Sequence, residues 1–251
     1  MNRKYKLAVR VIVVAGAIVL LKALISMYVN FSISISSLFL SFLGGAIFLM
    51  GFMLSGVSGD YKESEKLPSE IASTIENMLE EGRYVKALNK KFNLQKYQKT
   101  LGQIITDFKS DIQTKHLRKK SLSTVSRISD SLLEMEGLKV QKDSINKIKS
   151  HMDSLKKGIL RVYYIKGTSF VPAAYAVLEI LTASIIFMML FLKLDGGFIE
   201  SFVVPGLTSF FLLYMTFLIK DMDDPFDTED SYVAIDLFLL DDLKGKIEKG
   251  G

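Results

Sequence analysis

The sequence predicts an all-α membrane protein: four transmembrane helices in two hairpins, with a cytosolic helical bundle inserted between spans 2 and 3. Three observations predict it. Four runs are apolar and long enough to cross a bilayer, for which roughly 20 residues suffice. The stretch between the second and third runs is polar, yet its apolar residues recur at helical spacing. That same stretch carries most of the basic charge, as expected of a cytoplasmic region.

Residues 1–57 hold the first hairpin. The basic start Met1 to Lys6 leads into span 1, residues 7–29. That run is too long for a signal peptide and lacks a small-x-small cleavage site, so it reads as a retained helix. Arg10 and Lys22 sit near its ends, where long side chains can snorkel to the interface. Asn30 to Ile33 form a short uncharged turn.

Span 2, residues 32–58, is not an ordinary lipid-facing helix. Stepping along it by alternating threes and fours gives Ser34, Ser37, Ser41, Gly44, Phe48, Gly51, Ser55 and Ser58. Apart from Phe48 this face is all serine and glycine. Such a face either lets another helix approach closely or lines a water-filled path.

Residues 58–166 form the bundle. Lysine and arginine outnumber acids there by about eight, while the opposite loops hold little basic charge beyond Lys193. Both termini are therefore expected on the cytoplasmic side of the cell membrane. About four helices are predicted, continuous at both ends with spans 2 and 3. Their apolar stripes are Ile71, Ile75, Met78, Leu79; Tyr97, Leu101, Ile104, Ile105, Phe108, Ile112; Leu122, Val125, Ile128, Leu132, Leu133; and Ile145, Ile148, Met152, Leu155, Ile159. Breaks are expected near Gly82, at Asn89 to Asn93, near Lys119 and at Gly137.

The second hairpin occupies residues 167–220. Span 3, residues 170–192, starts through Pro172, which the first helical turn tolerates. Glu179 lies within it, either paired, with Lys22 or a threonine as partner, or part of an ion path. Asp195, Gly196 and Gly197 make the outer turn, and span 4 covers 198–219 with a bend expected at Pro205 and Gly206.

Residues 221–251 comprise an acidic knot and a tail. Asp223, Asp224, Asp227, Glu229 and Asp230 are a candidate hard-cation site; a solvated or salt-bridged collar is the alternative. The spacing is not that of an EF-hand. Val233, Leu237, Leu240, Leu243 and Ile247 at loose helical spacing suit a tail packed on the bundle.

Several function classes drop out. With no cysteine there are no disulfides or thiol nucleophiles, and His116 and His151 have no HExxH-like partner. P-loop, GxSxG and strand-borne GxGxxG motifs are missing, so an enzyme is not expected. Topology accounts for the net charge of +5 without a nucleic-acid partner.

Two stretches resemble the bestrophin family. Phe48-Leu49-Met50-Gly51-Phe52, followed by Glu65-Lys66-Leu67-Pro68, is similar to the family's F-x-x-G-F pore neck and its later E-x-L-P. Asp224-Pro225-Phe226-Asp227-Thr228-Glu229-Asp230 resembles the N-P-F-G segment and acidic run that contribute to a calcium site in animal members. The resemblance implies a homopentameric ion channel with span 2 lining a central pore, Phe48 and Phe52 forming its hydrophobic neck, and Ser37, Ser41, Gly44 and Ser55 beside them. It implies membrane lipids and permeant inorganic ions as the other partners; animal members pass anions and some bacterial relatives prefer cations, and the basic excess of residues 58–166 leans this chain slightly toward anions. The chain departs from the pattern at Gly44-Gly45, where bestrophins carry a bulky residue and proline, at Asp224 and Asp227, and in the single Tyr61 after the neck.

Two rival readings stand beside this. A non-conducting scaffold or sensor would bind a partner or anionic lipid through the basic run containing Lys115, Arg118, Lys119 and Lys120. A secondary transporter would want broken helices in both halves, for which Glu179 and Gly44-Gly45 are the only candidates.

Overall fold

The computed structural model describes residues 3–29, 34, 36–114, 119–193, 197–227 and 231–249. Nine α-helices and one π-helical turn lie among them. They are α1 (Arg3–Tyr28), α2 (Ser37–Leu88), α3 (Leu94–Gln113), α4 (Lys120–Ser126), α5 (Ile128–Gly137), α6 (Lys142–Gly167), α7 (Pro172–Leu190), the π turn (Ile199–Val203), α8 (Val204–Asp223) and α9 (Phe238–Glu248). Four helical stretches are long and apolar enough to cross a membrane. The predicted turn at 30–33 and most of the outer turn at 195–197 fall outside the described residues.

The chain divides into two compact units. The first comprises Met1–Tyr61, Ser169–Pro225 and Asp230–Val233. Here α1 contributes Leu7, Val11 and Ala15 as a buried stripe and packs on α7 and α8. The N-terminal part of α2 buries Phe39, Ala46, Met50, Met53 and Val57 against Leu178 and Ile185 of α7 and Leu212 and Ile219 of α8. The spacing of those five residues is that of one helix face. Pro172 stands in the first turn of α7, as its spacing predicts. At the expected bend in span 4 the chain makes a π turn, directly before Pro205 in the first turn of α8. Proline cannot donate a helical hydrogen bond, and a wider turn beside it accommodates that loss.

The second unit comprises Lys62–Thr168, Phe226–Glu229 and Ala234–Gly251. All six predicted positions of α3, from Tyr97 to Ile112, are buried. So are Ile71, Ile75, Met78 and Leu79 of α2 and Ile145, Ile148, Leu155 and Ile159 of α6. Of the other predicted positions Leu122 and Met152 are half-buried, and Leu133 is exposed on α5. The tail helix α9 lies against α3, burying Leu240, Leu243 and Ile247.

Three expectations change. Gly82 does not end a helix: α2 runs unbroken to Leu88. The ring of Tyr97 approaches Gly82 so closely that a Cβ there would stand 2.5 Å from Cε1, and the Tyr97 hydroxyl donates to the Met78 carbonyl at 3.1 Å. Burial holds that hydroxyl well above the usual phenol pKa. Second, the bundle is continuous with span 2 but not with span 3, because Thr168 and Val171 are extended between α6 and α7. Third, the predicted third bundle helix is split at Arg127 into α4 and α5.

Pro68 sits inside α2. An interior proline costs about 3 kcal/mol or more, offset here by burial of Leu67, Ile71 and Ile75 around it.

Candidate functional site

Two faces of α2 divide the labour in the first unit. The apolar stripe Phe39, Ala46, Met50, Met53 and Val57 is buried in the chain's own core. The other face, with Ser37, Ser41, Gly44, Phe48, Gly51, Phe52 and Ser55, is exposed. Phe48 is 77% exposed and Phe52 56%. A Cβ added at Gly44, Gly45 or Gly51 would meet nothing within 4 Å. The small-residue face therefore does not serve packing within this chain. Of the two roles open to it, contact with another chain and a water-filled path remain. The Ser41 hydroxyl donates to the Ser37 carbonyl at 2.8 Å, so it is satisfied within the helix.

Sequence reasoning missed the residue that supports the turn of α2 carrying Phe52. Phe170, just before α7, packs its ring against Phe52 with centroids 6.1 Å apart. Its backbone N–H donates to Asp223 Oδ1 at 3.0 Å, and Tyr175 lies beside the same carboxylate. Gly56 makes room for the ring. A glycine inside a helix costs up to about 1 kcal/mol relative to alanine, so its presence between Ser55 and Val57 was a readable sign of close approach.

The acidic segment is partly spoken for. Besides Asp223, Asp221 accepts the N–H groups of Tyr232 and Val233 at 2.9 and 3.1 Å on Oδ2, and the Tyr61 hydroxyl donates to the Val233 carbonyl at 3.0 Å. These two carboxylates act as backbone anchors for the chain on either side of the helices. Among the described residues no three carboxylates or histidines come together as a metal site. Asp223, Asp224 and Asp227 are described; Glu229 and Asp230 lie outside the described residues.

Glu179 has a partner, but not the expected one. It pairs with Lys220 of α8, and both side chains are about half exposed. Lys22 does not snorkel either. Only 5% exposed, it donates from Nζ to the carbonyls of Met189 at 2.7 Å and Leu192 at 2.5 Å. A cation thus caps the C-terminal end of α7, where the helix leaves carbonyls unsatisfied and the dipole is negative. Arg10 lies over the Phe217 ring at 5.8 Å and donates to the Tyr232 hydroxyl at 3.2 Å.

Of the predicted basic run, Lys115 and Arg118 lie outside the described residues. Lys119 takes a left-handed conformation, φ 54°, before α4, and Lys120 opens that helix. Both are exposed.

No family model matches the chain, and no curated protein does. Solved structures match it along nearly its whole length. A bacterial bestrophin homolog from Klebsiella pneumoniae is similar at TM-score 0.79 and 11% identity, covering 96% of this chain and 97% of that one. A point mutant of a bestrophin homolog from the same organism gives 0.77 and 11%, over 96% and 98%. A structure described as a membrane protein variant gives 0.80 and 13%, over 94% and 96%. At these identities the likeness is one of fold. The chain is a multi-pass membrane protein with the bestrophin fold.

Proposed function

We propose that this bestrophin-fold chain is one subunit of a homopentameric ion channel in the cell membrane. The N-terminal part of α2 lines the central pore, and Phe48 and Phe52 form a hydrophobic neck. One observation carries the reading: α2 buries Phe39, Ala46, Met50, Met53 and Val57 in the chain's own core and presents Phe48, Phe52 and the serines and glycines outward. A helix that faced only lipid would have no use for so polar and narrow a face. Copies placed around an axis would turn it toward water, and rings of Phe48 and Phe52 would narrow that path. Apolar rings hold a pore closed by dewetting and release it when they part.

The basic excess of residues 58–166 supports a cytoplasmic position for that region and for both termini. It favours anions at the inner mouth. The reading is tested by the detergent-corrected mass of the purified complex and by ion flux in liposomes. Five subunits are expected, with flux raised when Phe48 and Phe52 are both changed to alanine. A monomer or dimer removes the central pore and returns the small-residue face to helix packing. Ion substitution in the same liposomes tests the preference for anions.

A further inference from the structure

In the second unit α3 and α4 are held antiparallel by two carboxylates of α3. Asp111, fully buried, accepts the backbone N–H groups of Lys120 at 3.1 Å and Ser121 at 2.8 Å, and the Tyr163 hydroxyl as well. One turn earlier, Asp107 accepts Thr124 Oγ1 at 2.7 Å on one oxygen and Gln103 Nε2 at 2.8 Å on the other. The paired positions descend along α3 as they rise along α4. This register lays the polar stripe of α3 that begins at Lys96 and Lys99 beside the stripe running from Lys120 to Arg127. Between them is a groove of about 530 Å³.

Four cations line the groove: Lys96, Lys99, Lys120 and Arg127. Among the described residues no carboxylate pairs with any of them. Other lysines of this unit do lie on carboxylates: Lys109 on Asp241 at 2.5 Å, Lys149 on Glu136 at 3.2 Å and Lys246 on Glu76 at 3.2 Å. The acids within the groove neutralise it only in part. Both oxygens of Asp107 are held by neutral donors rather than by a groove cation, and Asp107 and Asp130 together set two negative charges against four positive ones, an excess of two cations. Like charges gathered in one groove repel, and an anion bearing several charges relieves the repulsion. The volume lies in the range of small-molecule sites and exceeds what a halide needs. Lysines suit phosphate as point charges and arginine as a two-pronged donor.

We propose that this groove binds a phosphate-bearing anion, either a soluble polyphosphate or the phosphate of a lipid headgroup. Lys96, Lys99 and Arg127 hold the charge from one end and Lys120 from the other, while Asp107 and Asp111 fix the spacing between the two helices.

Calorimetric titration of the full chain in detergent at low salt tests it, with sodium tripolyphosphate in one arm and dihexanoyl phosphatidate below its micellar concentration in the other. The groove variant carries Lys96→Gln, Lys99→Gln and Arg127→Gln. A control of equal charge change carries Lys139→Gln, Lys142→Gln and Lys157→Gln. Saturable binding is expected from at least one probe, weakened about tenfold for each groove cation removed, weakened by added salt, and unchanged in the control. Tripolyphosphate binding alone assigns the soluble ligand, and tighter phosphatidate binding assigns the headgroup. Absence of saturable binding in both arms, or equal weakening in groove variant and control, overturns the proposal. If thermal unfolding shows the triple variant to be misfolded, Lys99→Gln against Lys142→Gln makes the same comparison.

Discussion

The ring of Phe170 stands where a side chain on Gly56 would have to be: a Cβ there would lie 2.1 Å from its Cζ. The same ring faces Phe52, and the same residue's N–H is held by Asp223 at the end of α8. One aromatic residue thus ties together the turn of α2 that carries Phe52 and Gly56, the start of α7 and the end of α8. No single stretch of sequence contains this arrangement, because its parts come from three distant segments.

Gly56→Ala is expected to expel the Phe170 ring and to loosen Phe52. Overpacking of this kind costs about 1–3 kcal/mol, read as a lower unfolding temperature in detergent. Phe170→Leu in the same background should recover part of the loss, because the smaller side chain vacates the space. A double-mutant cycle measures it, and strictly additive losses would show that the two residues do not share that space.

Lys22→Met is expected to be among the most destabilising single changes in the first unit. It removes both donors from the carbonyls of Met189 and Leu192 in a buried setting. Hydrogen bonds to charged groups contribute about 1.5–3 kcal/mol each, so a loss of about 2 kcal/mol or more should appear in thermal unfolding. Lys193→Met, at an exposed position nearby in sequence, should change stability by no more than about 0.5 kcal/mol. Equal losses in the two variants would remove the capping role.

What the sequence makes legible here is periodicity. Six apolar residues of α3 at helical spacing are all buried, because one face of a helix has only one place to go. The α2 face running from Ser37 to Ser55 is legible for the same reason, and the structure adds that it points away from the chain's own core. Pairing is what periodicity leaves open. Lys22 and Lys220 were equally available to Glu179, and only the packing of α7 on α8 selects Lys220. Gly82 carries the composition of a helix end, but tertiary contact with Tyr97 overrides local propensity and the helix continues.

The Glu179–Lys220 pair is expected to be structural. Glu179→Gln leaves Lys220 without its carboxylate, and Lys220→Met leaves Glu179 without its cation. Either single change should lower stability more than the double change does, since the double variant strands no charge. Thermal unfolding of the three variants gives the comparison. Ion preference in liposomes should stay the same in Glu179→Gln. An altered preference would instead make Glu179 part of the ion path.

Phe48 and Phe52 should separate in their effects although they stand one turn apart on the same helix. Phe48 is 77% exposed, so truncating it removes little packing within the chain. Phe52 leans on Phe170, and an aromatic pair of this kind contributes about 0.5–1.5 kcal/mol beyond its burial. Phe48→Ala is therefore expected to raise ion flux in liposomes with stability of the isolated subunit nearly unchanged. Phe52→Ala should raise flux and also lower the unfolding temperature. Phe170→Ala, which leaves both Phe48 and Phe52 in place, should reproduce the stability loss of Phe52→Ala and only part of its flux. If Phe48→Ala leaves flux unchanged in a folded pentamer, the ring at Phe48 is not the constriction.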